Sequence, residues 1–585
     1  IEDVHWADPS TLELIDLLVR QVPTHRAMVV LTHRPEFQPA WGHVAHQSRL
    51  SLARIPQWGA EQIVQRLTGG KALPREVEAQ ILEKTDGVPL FVEELTKAVL
   101  ESGLLSEEED GYAVVGGSLP PLAIPATLHD SLEARLDRLA TTKELAQVGA
   151  VLGREFSYAL LRAVSDVDEG ELRQALGQLV EAELLYQRGV PPEAVFVFKH
   201  ALIQEAAYQG LLKGVRQQVH HRAALALEER FPAEAEARPE RVAQHYTAAG
   251  LPDQAIEAWT RAGRRAVERS AGHEAVSHLR QGLELLPLLP AGEGRDRREL
   301  ELRVALGPAL TATLGHAAPE VRETYLRALE LARAQGVVDA HLEVMGGLFA
   351  SYFVRSEVAE AIELAREMLR SASRAKSPWE APARVAIGIA LLKAGTLAQA
   401  RDALEEGLKL YDPEKHFALA HAIGQDFGVV AWCYSAFVHF ALGDADEALS
   451  RARRASELAR SLAHPHSLAM ALSFNASLHF FRREPDAALE VLAEVEALTD
   501  RENFPHWRMD VPPMRAWALA ARGRLEEALA LAASVDLEAL VAAIGTGPAM
   551  YRARMLAEAY LDAGRADLAE PLLARLQATL QSDAP

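Results

Sequence analysis

The sequence predicts a mainly α-helical chain that begins with a short α/β segment, continues through helices closed by a β-hairpin, and ends in a long array of helical pairs. Three observations carry that expectation. Two apolar strand-like runs flank an amphipathic helix within residues 1–35. Four helical stretches end in two short β-patterned runs before residue 200. A turn residue with Ala five positions later then recurs at steps of roughly 40 residues.

Composition bounds the reading. At 585 residues the chain has room for roughly four domain-sized units. Lys plus Arg is 61 against Asp plus Glu 82, a net charge of −21 that opposes direct nucleic-acid binding. The lone Cys433 excludes an internal disulfide framework and a cysteine metal cage, so a cytoplasmic location is expected. The longest uncharged stretch, 17 residues between Asp426 and Asp444, sits at the lower limit for a bilayer span and reads as a buried repeat helix. No membrane association is expected. The chain starts at Ile1 with neither an initiator Met nor a secretory signal, and it reads as truncated ahead of that residue.

The first element is Ile1-Glu2-Asp3-Val4-His5-Trp6-Ala7-Asp8, a strand end with two adjacent carboxylates. Asp8-Pro9-Ser10 then supplies capping chemistry, and Leu12, Ile15, Leu18, Val19 and Val22 form a helical stripe. A second buried-type strand, Met28–Leu31, ends in Thr32-His33-Arg34-Pro35. Strand, helix, strand is the parallel α/β order, in which ligands sit beyond the carboxyl ends of the strands. Glu2, Asp3, Thr32 and Arg34 all fall there. Two carboxylates at a strand tip suit phosphoryl chemistry, one for the water shell of a magnesium ion and one to polarise the attacking water.

On these residues, Ile-Glu-Asp-x-His-Trp-Ala-Asp followed by Leu-Thr-x-Arg-Pro-Glu-Phe resembles the Walker B and sensor segments of STAND-class signal-transduction ATPases. The pattern is most similar to the ATPase and tetratricopeptide module of large bacterial adenylate or guanylate cyclase fusion proteins. The resemblance implies that residues 1–55 are the C-terminal part of a P-loop α/β ATPase core, with ATP or ADP and Mg as cofactors of the full-length protein. It implies a Mg-ATP role for Glu2 and Asp3, metal and water being divided between them in either order, and a sensor role for Thr32 and Arg34. The phosphate-cradling loop G-x-x-x-x-G-K-[ST] would precede the carboxylates and is absent from the sequence. Gly70-Lys71 is a decoy: it follows the carboxylates, residue 65 is Gln and residue 72 is Ala. This chain alone is therefore expected to bind ATP weakly or not at all, and to be inactive as an enzyme.

Residues 56–105 read as a helical lid containing Gly87-Val88-Pro89-Leu90. As local chemistry this is a turn before a Pro-started helix. The resemblance implies that Gly87 and Pro89 pack against nucleotide, while Glu93 and Glu94 read as a helix face. Residues 106–212 read as a winged-helix regulatory domain. Its first part, with Ser106 to Asp110, Gly116-Gly117 and Pro120-Pro121, is a mobile connection or small hairpin. Helices are predicted at 127–140, 143–150, 157–165 and 169–184, then strands Leu184–Gln187 and Val195–Phe198. Asp168, Glu169, Glu171, Glu181 and Glu183 against Arg173 make the candidate recognition helix unsuited to DNA, so the wing reads as internal and regulatory. His200 reads as a polar junction residue, or, by the resemblance, as a sensor His facing the phosphate.

Bridging helices and a first repeat are expected over 213–290, and a tetratricopeptide-like solenoid over 291–585. The turn/Ala pairs are Gly250/Ala255, Ser356/Ala361, Gly395/Ala400, Gly443/Ala448, Arg483/Ala488, Gly523/Ala528 and Gly564/Ala569, with an apolar residue four positions after each Ala. One or two degenerate hairpins are expected over 270–350, with Leu288 to Arg298 as a linker. Trp379, Trp432 and Trp507 read as core residues before partner anchors. The 21 histidines show no ligand spacing, the densest pairs being His220-His221 and His464-Pro465-His466.

The leading functional reading is an ATP-binding signal-transduction regulator whose solenoid binds a protein or small-molecule ligand. A nucleotide-dependent oligomer is compatible with it. The alternatives are an ATP-dependent transcription activator, for which the acidic end Gln581 to Pro585 offers no basic helix-turn-helix, and a non-enzymatic repeat scaffold.

Overall fold

The computed structural model describes residues 1–39, 41–42, 44–108, 111–115, 127–139, 141–269, 271–502, 504–538 and 546–582. Backbone proximity divides the chain into two compact units, Ile1–Ala262 and Gly263–Pro585.

In the first unit, Ile1 pairs in parallel with the segment around Leu31. The Ile1 ammonium donates to Val30 O at 2.8 Å, Thr32 N–H to Ile1 O at 3.0 Å, and Val4 N–H to Thr32 O at 2.9 Å. The pairing stops there because Asp3 is left-handed (φ 54°) and opens a 3₁₀ turn, Val4–Trp6. Neither run is therefore a β-strand, contrary to expectation, and Met28 and Val30 are 86% and 60% exposed. With one short backbone partner, the 28–31 run has no sheet to cover its faces. Helix α1 (Pro9–Gln21) forms as predicted, capped by Asp8, whose Oδ1 accepts from Thr11 N–H at 2.8 Å. Ile15 and Val19 bury against Val4 and Trp41, whereas Leu18 of the predicted stripe is exposed.

Helices α2 (Gln57–Leu67), α3 (Arg75–Thr85) and α4 (Pro89–Leu100) share a second core of Val64, Val77, Ile81, Val92, Leu95 and Val99. A hairpin follows, β1 (Leu105–Glu107) against β2 (Tyr112–Val114). Glu109, Asp110, Gly116, Gly117, Pro120 and Pro121 lie outside the described residues. Then come α5 (Leu128–Asp137), α6 (Thr141–Leu152), β3 (Glu155–Ser157), α7 (Tyr158–Val164), α8 (Glu169–Glu181), β4 (Leu185–Arg188) and β5 (Val195–Phe198). The strands form an antiparallel sheet in the order β3-β5-β4, with Phe156, Phe196 and Phe198 buried. Strand β3 was not foreseen, since three residues are too few to display a period.

Helices α9 (Ala201–Gln209), α10 (Lys213–Arg230), α11 (Pro232–Ala237) and α12 (Pro239–Ala249) complete the unit. His220 of α10 pairs not with His221 but with His245 of α12: their Nδ1 atoms are 2.9 Å apart, and His220 Nε2 is 3.0 Å from the Tyr208 hydroxyl. One tautomer satisfies all three groups, with Tyr208 O–H donating to His220 Nε2 and His220 Nδ1–H donating to His245. Burial pulls His220 down to about 4 and the more deeply buried His245 to about 3.

Helix α13 (Pro252–Glu268) crosses the division, and the second unit is a helical-repeat solenoid. It continues with α14 (Gly272–Leu285), α15 (Glu293–Leu314), α16 (Pro319–Gln335), α17 (Val338–Val354), α18 (Val358–Ala375), α19 (Glu380–Lys393) and α20 (Leu397–Leu410). Next are α21 (Pro413–Ile423), α22 (Phe427–Ala441), α23 (Ala445–Ser461), α24 (Pro465–Arg482), α25 (Pro485–Glu502) and α26 (Pro505–Arg508). The described residues end with α27 (Val511–Ala521), α28 (Leu525–Ala533), α29 (Thr546–Asp562) and α30 (Ala566–Ser582). The expected linker at 288–298 is mostly helix: Gly292 (φ 144°) makes the turn, and Glu293 and Asp296 favour the first turn of α15.

All seven turn residues read from the sequence are left-handed, with φ between 59° at Arg483 and 92° at Gly443. In each, the next N–H reaches back five residues to a helix carbonyl, from Leu251 to Tyr246 through Arg565 to Tyr560, at 2.8–3.1 Å. Every partner Ala is at most 1% exposed, because its small side chain sits where the second helix meets the first. The residue four later is also buried, except Leu573, which is 42% exposed. The long step from Gly395 to Gly443 is explained by α21, an extra helix between two pairs.

Two outcomes follow. A side chain in the left-handed region costs about 1–2 kcal/mol, partly offset by the unfolded-state entropy that glycine adds. Ser356→Gly should therefore raise stability by about 0.5–1 kcal/mol and Gly523→Ala lower it similarly, read as opposite shifts of the thermal midpoint. For the His220/His245 pair, the unfolded chain binds more protons than the fold wherever the pH lies below about 6.5 and above the folded values of about 4 and 3. Stability is full above that window and falls on acidification through it. Melting curves from pH 7.5 to 4.5 should flatten in a His220→Gln/His245→Gln variant, and an unchanged slope counts against the pair.

Candidate functional site

Of the sequence-predicted residues, Asp3 and Thr32 are brought together: Asp3 N–H donates to Thr32 Oγ1 at 2.9 Å. The Asp3 carboxylate lies 3.9 Å from Arg154, the residue just before β3. Glu2, Thr32 and Arg34 are exposed, and the Arg34 carbonyl accepts from Phe37 N–H at 3.1 Å and faces His33 Nδ1 at 2.8 Å. This locus offers carboxylates and a hydroxyl on an open edge, with no backbone cradle for phosphates. Among the described residues no group of three or more His, Cys, Asp or Glu is placed to hold a metal ion. The residues of this chain do not by themselves fit Mg-ATP. Lys71 of the decoy pairs with Glu107 at 2.8 Å and donates to Glu108 O at 3.1 Å.

Gly87 and Pro89 form a second locus. Gly87 is left-handed (φ 69°), its carbonyl accepts from Ile55 N–H at 2.8 Å, and a Cβ there would lie 2.3 Å from Ile55 O. Only glycine allows the 54–55 backbone to pass so closely. Pro89 is the first residue of α4. No hydrogen bond or ion pair among the described residues joins these two to Glu2 or Asp3.

Helix α4 also carries the main charged junction of the unit. Glu94, read with Glu93 as a helix face, is 1% exposed and pairs with Arg135 of α5, itself 4% exposed. Arg135 also reaches Glu101 at 3.1 Å and donates to Ala182 O at 3.0 Å. Lys97 bridges Glu93 at 3.0 Å and Glu183 at 2.6 Å, and Lys199 meets Glu183 at 3.1 Å. Hydrogen bonds from Lys97 and then Lys199 pull the Glu183 carboxyl down to about 2. Glu183 lies just beyond α8 in a left-handed conformation, and Asp168 of the predicted acidic face is a cap, accepting from Gly170 N–H at 2.7 Å. His200 opens α9 beside this cluster. Its Nε2 is buried without a hydrogen-bond partner among the described residues, and burial lowers its pKa against the pull of Glu94 and Glu93.

In the second unit a cavity of about 640 Å³ opens among α17, α19, α22, α24 and α29. That size suits a small organic ligand. Ring contacts run from Phe353 through Tyr434, Phe474, Phe437 and Phe481 to Tyr551, with centroids 5.1–6.0 Å apart. At one end Arg552 holds Asp510 through two hydrogen bonds, Nε to Oδ1 at 3.1 Å and Nη2 to Oδ2 at 2.8 Å, and donates to Ser477 Oγ at 3.2 Å. Lys393 donates to Phe353 O at 2.6 Å and stands 4.5 Å over its ring. Trp379 and Trp507 are buried and also line the cavity, while Trp432 is covered by Arg451 and Arg454 at 5.5 and 5.3 Å. The legible signal for this cavity is that its aromatics fall on the first helices of successive pairs.

No family model matches the chain. A curated relative, an uncharacterized protein of Rhizobium meliloti (strain 1021), is 27% identical over 541 residues, covering 89% of this chain and 50% of its own length. The chain thus spans about half the length of that relative. Among solved structures, it is similar to a Signal Transduction ATPase with Numerous Domains (STAND) protein with a tetratricopeptide repeat sensor from Pyrococcus horikoshii, at 12% identity and a TM-score of 0.47, covering 99% of this chain and 80% of that one. It is also similar to a Rap protein complexed with competence and sporulation factor, at 12% identity and a TM-score of 0.46, covering 63% and 98%. A third is the APC/C hetero-tetramer Cut9-Hcn1, at 16% identity and a TM-score of 0.34, covering 88% of each chain.

Removing Arg135 leaves Glu94 buried without its counterion, which typically costs about 3–5 kcal/mol. Arg135→Ala should lower the thermal midpoint of the first unit far more than the exposed-pair variant Arg20→Ala, which should scarcely move it. Equal shifts in the two melting curves would refute the buried pair.

Proposed function

We propose that this chain is the regulatory and sensing part of a nucleotide-dependent signalling protein of the STAND type. The observation that carries the reading is the charged junction on α4. It ties the helix started by Gly87-Val88-Pro89 to Arg135, to Glu183 and to Lys199 beyond β5. A helical lid fastened to a neighbouring domain by ion pairs is an element that a bound nucleotide can bias, since charge added nearby shifts every pair in the cluster.

The reading assigns 1–55 to the end of a P-loop core, 56–105 to the lid, 106–212 to a winged-helix domain, 213–290 to bridging helices with a first repeat, and 291–585 to a tetratricopeptide-like sensor. The helix and strand order from α6 to β5, with the sheet order β3-β5-β4, supports the winged-helix assignment. The acidic first turn of α8 argues for an internal role over DNA binding. ATP or ADP and Mg are proposed for the full-length protein, with Glu2 and Asp3 at the metal and water, Thr32 and Arg34 as sensors, and His200 facing the phosphate. On this reading nucleotide affinity needs a phosphate-cradling loop in addition to these residues, and this chain alone is proposed to bind ATP weakly or not at all. Intracellular signalling through the solenoid's ligand is the proposed role, with a cyclase fusion as the finer form.

The test is ATP turnover by the full-length protein. Glu2→Gln/Asp3→Asn should lower it at least about tenfold, and Lys97→Glu should change its dependence on the solenoid's ligand. Undiminished turnover in the double variant sinks the carboxylate assignment and leaves a repeat scaffold. The isolated chain should show no micromolar ATP affinity by calorimetry.

A further inference from the structure

From the cavity in the second unit we infer a binding site for a small apolar molecule with one anionic head group, a carboxylate above all, whose head meets Lys393 and whose body lies along the rings. The inference rests on the solenoid being the ligand-binding part of the protein, and it adds the chemistry of the ligand.

The body follows from size and surface. The volume of about 640 Å³ is that of a small-molecule site, and rings held by their neighbours offer rigid contact area at little entropic cost. The head follows from charge. Among the described residues, the lining side chains that can be ionised near neutrality are His316, Lys393, Asp510 and Arg552. Asp510 and Arg552, whose side chains are 6% and 8% exposed, satisfy each other through two hydrogen bonds. His316 adds positive charge or none. Burial pushes the hydroxyls of Tyr434 and Tyr551 up, so neither adds negative charge. The cations Lys393 and Arg552 against the single carboxylate of Asp510 leave the lining net positive, and the excess lies at Lys393.

Lys393 is half-buried at the end of α19 and reaches α17, where it donates to Phe353 O at 2.6 Å and stands 4.5 Å from the ring centroid. An ammonium has three N–H donors, so the bond that fastens α17 is compatible with contact to a carboxylate. Phe353 begins the run of ring contacts that passes through Tyr434 and Phe474, which puts the charge at one end of the apolar wall. A molecule that fills the cavity strips water from that ammonium. A carboxylate replaces the lost hydration with a charge-assisted bond, whereas a hydrocarbon or a ketone replaces less of it. Cations fit worst: ring faces attract a quaternary ammonium, but Lys393 already stands over Phe353 and repels a second charge of its own sign. A peptide brings a donor and an acceptor at every residue, and the ring-lined walls offer them few partners.

The test uses the whole chain at pH about 7.5, where a carboxylic acid is ionised and an amine protonated. N-phenyl-1-naphthylamine, a neutral apolar fluorophore, is displaced by decanoate, by decan-2-one, by decylamine or by a short apolar peptide ending in a carboxylate. One saturable site is expected, displaced at least about tenfold more strongly by decanoate than by decan-2-one or the peptide, with decylamine weakest. Lys393→Met keeps the length of the side chain and removes its charge, so it should weaken decanoate about tenfold while leaving the ketone and the fluorophore within about twofold. Lys393→Arg keeps the charge and should keep the preference for decanoate. Where Lys393→Met fails to fold, the order of acid, ketone and amine on the unaltered chain still decides. The inference is overturned by absent saturable binding in a chain with native helical circular dichroism, by ketone, amine or peptide competing as well as decanoate, or by a decanoate affinity indifferent to Lys393→Met. Binding that leaves ATP turnover of the full-length protein unchanged keeps this site and removes the sensor reading. Turnover that depends on Glu2 and Asp3 without any decanoate binding does the reverse.

Discussion

The solenoid depends on one local conformation, the left-handed residue that ends the first helix of each pair. At Gly250, Ser356, Gly395, Gly443, Arg483, Gly523 and Gly564 the chain reverses within two residues, and the carbonyl five positions back from the next residue is satisfied by its N–H. The second helix therefore starts at a fixed angle and distance from the first. Five residues after each turn the helices meet, and the contact tolerates little more than a methyl group, hence Ala255, Ala361, Ala400, Ala448, Ala488, Ala528 and Ala569. Two of the seven turns use Ser and Arg, so hydrogen bonding and packing outweigh about 1–2 kcal/mol of backbone strain at those places.

Closing each pair this way has a consequence for what its first helix can carry. The small-residue seam absorbs the helix contact, which leaves another face of the first helix available for large side chains. Phe353, Tyr434, Phe437, Phe474, Phe481 and Tyr551 occupy that face and touch one another rather than a filled core. Where the contact is tightest, glycine replaces alanine: Tyr325 lies where a Cβ on Gly307 or Gly347 would come within 2.4 or 2.2 Å of its ring. In the stretch between the first turn and Ser356, Gly336 is again left-handed and Val337 N–H reaches back to Ala332 O at 3.3 Å, but the residue five after the turn is His341 in place of Ala.

Much of the fold was legible because its signals are local. Helix period, the capping residue Asp8, the Pro at the start of α4 and the seven turns all act within a few residues of where they are read. Strand β3 was missed because Phe156 gains its environment from Phe196 and Phe198, some 40 residues on. The 28–31 run was over-read for the same reason, since an apolar run becomes a buried strand only if other strands cover it. The placement of the aromatics on first helices can be read from the sequence, but the cavity between them cannot, because Phe474 looks the same whether it meets a core or a void. The helix face read at Glu93 and Glu94 divides in a way its local pattern does not display: Glu93 is half-buried and paired with lysines, while Glu94 meets Arg135, 41 residues on. Of the candidate site residues, only Asp3 with Thr32 was placed together by the structure, and Gly87 turned out to be required by the backbone at Ile55.

The two units respond to different chemistry, and the magnitudes involved are comparable. The junction on α4 is ionic, so it responds to charge and to acid, with Glu94 and Arg135 holding a pair whose loss is worth about 3–5 kcal/mol. The cavity is apolar and responds to a ligand by mass action. A ligand at 100 times its dissociation constant stabilises the form that binds it by about 2.7 kcal/mol, and at 1,000 times by about 4.1 kcal/mol. Occupancy of the solenoid can thus shift a conformational equilibrium by as much as breaking the buried pair would. It does so only to the extent that the ligand prefers one arrangement of the helices that line the cavity, since equal affinity for both shifts nothing.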